Sequence, residues 1–288
     1  MGRPNVGKST LINSLIGQKI AAVSPRPQTT RRRQMGVLTM QEPPAQIVFI
    51  DTPGLHQPRY KLGELMNQEA IDTLDQSDEI MLVVDGSQPP QDEDHLLLEL
   101  LNHMQRFLPI LLVINKIDHA SQAELEKNSD AFKTALPQAT IVPISATRGD
   151  GLAELTQVLL ERLPVGSPYF PEDQLTDLYE RDIAADLIRE AALTLLREEV
   201  PHGIAIRIDQ FIERGENGAY IEATLFVERE SHKPIVIGQG GRMLKTIGTA
   251  ARKQIEAMSK RKVFLQLKVK VRPNWRNDSA VLRRFGYR

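Results

Sequence analysis

Four short stretches in the first half of the chain carry side chains suited to holding a phosphorylated nucleoside and a divalent cation. Gly2-Arg3-Pro4-Asn5-Val6-Gly7-Lys8-Ser9 fits the pattern G-x-x-x-x-G-K-[ST]. Glycines let such a loop curl until its N–H groups converge on phosphate oxygens, and a helix starting near Lys8 adds its positive end. Lys8 then reaches the β- and γ-phosphates, and the Ser9 hydroxyl ligates Mg²⁺. Gly2, Asn5, Val6, Gly7, Lys8, Ser9 and Thr10 are therefore the candidate phosphate residues. The alternative for this motif taken alone is a chance glycine-rich turn.

Asp51-Thr52-Pro53-Gly54 adds a carboxylate that can hold Mg²⁺ through water, and a Gly54 N–H that can sense the γ-phosphate. Asn115-Lys116-Ile117-Asp118 adds a base site. An ionised aspartate only accepts hydrogen bonds. Asp118 therefore suits the paired N–H donors of guanine and mismatches the Watson–Crick edge of adenine. Asn115 fastens its loop and the base, and the Lys116 stem covers one base face. Ser145-Ala146 sits where a backbone N–H can reach the guanine oxygen.

These stretches need a scaffold that brings them together. Short β-branched or aliphatic runs at 46–50, 80–84, 110–114 and 140–144 read as strands. Helical patterns at 10–15, 62–74, 92–104, 122–135 and 152–163 lie among them. This alternation predicts an α/β domain with a mostly parallel sheet covered by helices on both faces. Asp51, Asn115 and Ser145 each follow directly after a strand, where open α/β sheets bind ligands. The P-loop is the exception, because only Met1 precedes Gly2. The expectation is a first strand missing through a misplaced start or a fragment, which leaves 46–50 and 80–84 with unpaired edges. Nucleotide affinity would be the first property to suffer.

A breaker cluster, Pro164-Val165-Gly166-Ser167-Pro168, marks a linker. It divides the chain into 1–165, a linker at 166–177, and 178–288. Beyond it the order is a helix at 178–199, strands at 203–212 and 220–227, a short helical segment at 233–237, a helix at 242–258 and a strand at 263–271. The last helix is preceded by Gly238-Gln239-Gly240-Gly241, a G-x-x-G. That is the element order of a type II KH domain, whose loop holds four nucleotides of single-stranded nucleic acid against its backbone. Lys233, Gly238, Gln239, Gly240, Gly241, Arg242 and Lys245 are the candidate RNA contacts. A G-x-x-G alone is also an ordinary turn, and Trp275 could serve in the core or stack on a base.

Charge supports the second assignment. The 288 residues carry a net charge of −1, yet residues 231–288 hold 15 Lys+Arg against 2 Asp+Glu. Such asymmetry calls for a polyanion, and an anionic membrane would also accept it. There is no cysteine, so disulfides and thiolate metal sites are excluded. The apolar runs are strand-sized, too short to span a bilayer. The six histidines show no paired ligand spacing.

Together, residues 2–10, Gln28-Thr29-Thr30-Arg31, 51–56 and 115–118 resemble the bacterial Era-type GTPases. The resemblance continues through 236–238, Lys245-Thr246-Ile247-Gly248, Val269-Lys270-Val271 and Gly286-Tyr287. It covers essentially the whole chain, beginning roughly a dozen residues late. It implies a P-loop GTPase domain followed by a KH domain, and binding of GTP or GDP with Mg²⁺. The implied function is a switch that binds 16S ribosomal RNA near its 3′ end and assists maturation of the 30S subunit. It assigns Mg²⁺ closure to Thr30, with Thr29 as the alternative, and the catalytic group to Lys8, Thr30, Gly54 and Asn5. Leu55 stands where many GTPases place a water-orienting glutamine, so hydrolysis is expected to be slow. The resemblance also implies, through Asn5, a K⁺ ion near the phosphates. A monomer in the cytoplasm, with peripheral contact at the inner membrane, completes the expectation.

Overall fold

The computed structural model describes residues 1–288 except 25, 27, 28, 56, 105–107, 216, 217 and 288. Gln28, His56 and two residues of the turn at 214–219 therefore lie outside the described residues. The chain divides into two compact units. The first gathers Met1–Lys19, Thr30–Pro58 and Met66–Asp177; the second gathers Ile20–Thr29, Arg59–Leu65 and Leu178–Arg288.

In the first unit, helix α1 (Lys8–Ile16) is followed by an antiparallel pair, β1 (Gln34–Gln41) and β2 (Pro44–Asp51). Helix α2 (Lys61–Leu74), whose residues from Met66 onward belong to this unit, leads to a parallel sheet of β3 (Ile80–Asp85), β4 (Ile110–Asn115) and β5 (Thr140–Pro143), in that order. Helices α3 (Asp92–Asn102), α4 (Gln122–Ala135) and α5 (Leu152–Arg162) connect and follow these strands. The strands are apolar on both faces because both are covered. Leu82, Val84, Leu112 and Ile114 pack with Leu97, Leu101 and Phe132, while Val83, Leu111 and Val113 are buried at the alternate positions. No ladder joins β2 to β3, so the described strands form two separate sheets there. On the β3 side, Met1 donates from its nitrogen to Met81 O (2.6 Å) and accepts from Val83 N (2.9 Å).

Residues 166–177 are tied to the β1–β2 hairpin. The Gln46 side chain accepts from Tyr169 N and Phe170 N and donates to Phe170 O at 2.9 Å. Val37 N donates to Leu175 O at 2.8 Å. An amide with two donors and a two-lone-pair oxygen can hold a strap in this way with every polar atom used.

In the second unit, α6 (Glu180–Leu195) precedes β6 (Ala205–Glu213) and β7 (Gly218–Val227), then α7 (His232–Ile237), α8 (Arg242–Ser259), β8 (Lys262–Val271) and α9 (Ser279–Arg284). The sheet order is β6-β7-β8, with β6 antiparallel and β8 parallel to β7. Its inner face meets α6 and α8 through Ile188, Ile221, Leu225, Ile247 and Ile255. Trp275 is a core residue: it is fully buried and donates Nε1–H to Gly203 O at 2.9 Å.

Candidate functional site

The P-loop leads straight into α1, whose N-cap is Gly7 and which has no side-chain cap. The first-turn N–H groups are thus left for an anion. Gly7 sits at φ 101°, and a Cβ there would meet Asn115 Nδ2 at 2.3 Å. That close approach lets Asn115 donate from Nδ2 to Val6 O at 2.8 Å and accept from Ala146 N at 3.0 Å. One buried amide therefore pins three loops together. Asn5 and Lys116, at φ 65° and 66°, are non-glycine residues in the left-handed region, and both lie in these loops. Such backbone persists where the surroundings impose it, and it clusters at ligand sites.

Ser9, Thr30 and Asp51 converge. The Ser9 hydroxyl donates to Asp51 Oδ2 at 2.6 Å and lies 3.0 Å from Thr30 Oγ1, which donates to the same Oδ2 at 3.2 Å. Thr29 faces elsewhere, its hydroxyl bonding Arg26 O and Ser24 Oγ, both at 2.7 Å. Asp51 Oδ1 is buried with no hydrogen-bond partner. Burial raises the Asp51 carboxyl above its ordinary range against the pull of Lys8 and Ser9. Two hydroxyls and a carboxylate with a spare buried oxygen form a hard-oxygen set that fits Mg²⁺. Lys8 donates from Nζ to Gly2 O and Arg3 O, each at 2.9 Å, and burial lowers it to about 8. An ammonium so placed gains from an incoming phosphate charge. Gly54 backs on Pro4, where a Cβ would meet Pro4 N at 2.8 Å. Thr10 is the third residue of α1.

At the base site, Asp118 Oδ1 is buried without a partner. A hydrogen bond from Ser145, with further help from His119 and Arg148, holds the carboxyl below its ordinary range. It is therefore an ionised acceptor. The Ala146 N–H is engaged by Asn115 Oδ1, so it reaches a guanine oxygen only by sharing that proton. The Lys116 ammonium lies on Asp85 Oδ2 at 2.7 Å.

Asp85 was not singled out from the sequence. Burial would raise its carboxyl, but bonds from Lys116 and Ser87 prevail and hold it low. Arg3 joins the same group, 3.7 Å from Asp85 and 3.0 Å from Asp94 Oδ2. The signal was available: Asp85 ends β3, the same strand-end position as the other loop residues.

In the second unit, α7 turns into α8 through Gly238, Gln239, Gly240 and Gly241. Gly240 is at φ 58° with nothing within 4 Å of a built Cβ. Gln239, Gly240, Arg242 and Lys245 are exposed, while Lys233 is half-buried at the start of α7. His232, the first residue of α7, is buried. No group of metal-ligating His, Cys, Asp or Glu occurs among the described residues.

The fold and these loops define a P-loop GTPase joined to a KH domain. Residues 1–116 match the family of 50S ribosome-binding GTPases, and residues 199–276 match the KH domain. The chain is 43% identical to GTPase Era of Ruminiclostridium cellulolyticum and 44% identical to that of Carboxydothermus hydrogenoformans, over 100% of this chain and 95% of each relative. A crystal structure of Era in complex with MgGDPNP and nucleotides 1506–1542 of 16S ribosomal RNA is 40% identical, with a TM-score of 0.93 over 99% of this chain and 96% of that one. An Aquifex aeolicus Era variant bound to GDP·AlF4⁻ gives a TM-score of 0.92 at 40% identity, with the same coverage. The chain belongs to the Era family of GTPases.

Proposed function

We propose that this GTPase is a switch that binds 16S ribosomal RNA near its 3′ end and assists 30S subunit maturation, with the GTP form favouring RNA. The observation that carries the reading is the likeness, through both domains, to the Era structure holding MgGDPNP and nucleotides 1506–1542 of that RNA. In this reading Lys8 and the N–H groups of residues 5–10 hold the phosphates, Ser9 and Thr30 ligate Mg²⁺, and Asp51 holds it through water. Gly54 N–H senses the γ-phosphate. Asp118 accepts from guanine, with Asn115, Lys116, Ser145 and Ala146 shaping its pocket. Mg²⁺ neutralises charge developing on the phosphates. The G-x-x-G, with Lys233, Arg242 and Lys245, receives the RNA backbone.

Leu55 beside Gly54 offers no hydrogen bond to a water, so turnover is slow and the missing positive charge comes from K⁺ near Asn5. Equal hydrolysis rates in Na⁺ and K⁺ buffers would count against that ion. The protein acts as a cytoplasmic monomer, and its basic C-terminal segment allows peripheral contact with the inner membrane. Failure to float with anionic vesicles would remove the membrane contact. The central reading is tested by titrating labelled RNA of the 16S 3′ end with protein loaded with GDPNP or GDP. Tighter binding of the GDPNP form is expected, and equal binding would contradict the switch.

A further inference from the structure

The sheet of the second unit has an outer face that the G-x-x-G loop does not use. Along β8, Val263, Leu265, Leu267, Val269 and Val271 point into the core shared with α6 and α8. The alternate residues therefore face outward. One end of this outer face is covered by the C-terminal segment, where Phe285 lies 4.9 Å from the Phe226 ring. The other end carries a cross-strand row of Ile212, Tyr220 and Phe264, paired across β6, β7 and β8. Ile212 is 46% exposed and Phe264 63%.

The row is built for stacking. The Tyr220 and Phe264 rings are stacked at 5.7 Å with planes 13° apart. The Tyr220 hydroxyl donates to Gln266 Oε1 at 3.0 Å, which fixes its ring. The Arg214 guanidinium lies 5.3 Å over the Tyr220 ring. Two described acids on this face are already matched: Glu222 pairs with Lys268, and Asp209 with Arg207 and Thr224. Arg214 and Lys262, beside the row, make no salt bridge to any described residue. A cross-strand aromatic pair stabilises a sheet by itself, but it does not require an open ring with basic side chains beside it.

We propose that this outer face is a second contact for single-stranded RNA, where a base stacks on Phe264 and adjacent phosphates meet Arg214 and Lys262. Charge complementarity selects a polyanion, and a flat exposed ring selects bases, since every base has a π-face. The inference rests on RNA being the ligand of this domain.

The test uses the full chain with two RNAs, one of about four to six nucleotides that fills the G-x-x-G loop alone and one of about 20 nucleotides. Phe264→Ala is expected to weaken the longer RNA about tenfold and leave the shorter unchanged. Phe264→Trp retains affinity, while Phe264→Leu, apolar but without a ring, behaves as the alanine variant. Thermal melts establish that each variant is folded. Wild-type affinity for the longer RNA in Phe264→Ala overturns the proposal and leaves the patch to a protein partner. Gly240→Asp tests the loop separately: loss of short-RNA binding there, with no effect of Phe264→Ala, would sink the second contact alone. Unimpaired short-RNA binding by Gly240→Asp would sink the loop assignment instead.

Discussion

Two glycine loops in this molecule look alike in sequence and differ in what surrounds them. At Gly7 a Cβ would collide with Asn115 Nδ2 at 2.3 Å; at Gly240 it would meet nothing within 4 Å. The first glycine is required by the protein itself, because the Asn115 amide needs that space to join the P-loop, the base loop and Ala146. The second leaves room on the outside of the turn, where a ligand backbone can approach. The P-loop is thus fixed by packing against other loops, whereas the G-x-x-G is held between α7 and α8, with Gly238 backed on Met243 and Gly240 open.

The contrast is broken most severely by Gly7→Ala. It adds a buried clash and strains a backbone at φ 101°, and the Asn115 bonds must yield. Strain plus lost buried hydrogen bonds amounts to about 3 kcal/mol or more, so GDP affinity should fall by about 100-fold or more in calorimetric titration. Gly240→Ala is the matching control: it meets open space and incurs only the left-handed backbone cost of about 1 kcal/mol, visible as a small drop in melting temperature.

Asp118→Asn comes next. It replaces an acceptor with a donor where guanine presents N–H groups, at about 1.5–3 kcal/mol per charge-assisted bond. GDP affinity should fall roughly 100-fold while xanthosine diphosphate gains. Competition binding of the two nucleotides decides it, and an unchanged preference for GDP would remove Asp118 from the base site. Gly240→Asp is smaller, setting a carboxylate against RNA phosphates. RNA affinity should drop about tenfold with GDP affinity unaltered, as read by fluorescence anisotropy.

The smallest effect is on protons. Burial lowers Lys8 to about 8, and a bound phosphate favours its charged form. Above pH 8, GDP binding should therefore take up as much as about one proton, and affinity should decline as pH rises. The same depression means the unfolded chain binds more protons than the folded one above pH 8. Stability of the nucleotide-free protein should thus rise between about pH 8 and the ordinary lysine value. Titrations in buffers of different ionisation heat measure the uptake.

Sequence alone located the Asp51, Asn115 and Ser145 loops because each follows a strand whose apolar run is unmistakable, as in Ile110–Asn115, and the P-loop by its own glycine–lysine–serine pattern. It missed β1, where Gly36 interrupts the run and the burial pattern does not alternate cleanly. It missed α9, six residues whose capping Asp278 accepts from Ala280 N and Val281 N but which lacks a long apolar period. The breaker cluster at 164–168 was visible, but the pinning of the following strap by Gln46 was not, because it depends on residues more than a hundred positions apart. Trp275 stood open between core and stacking, and its buried N–H to Gly203 O decides for the core. Asp85 could have been found from its place at a strand end, but its pairing with Arg3 and Lys116 could not, since it forms only when the loops meet.

The most direct test of the central claim, that these packed loops form a guanine-specific site, is calorimetric titration of the full chain with GDP and, in parallel, ADP, both with Mg²⁺. Saturable binding of GDP with no heat from ADP is predicted. Equal binding of ADP, or no binding of GDP by the folded chain, would contradict it.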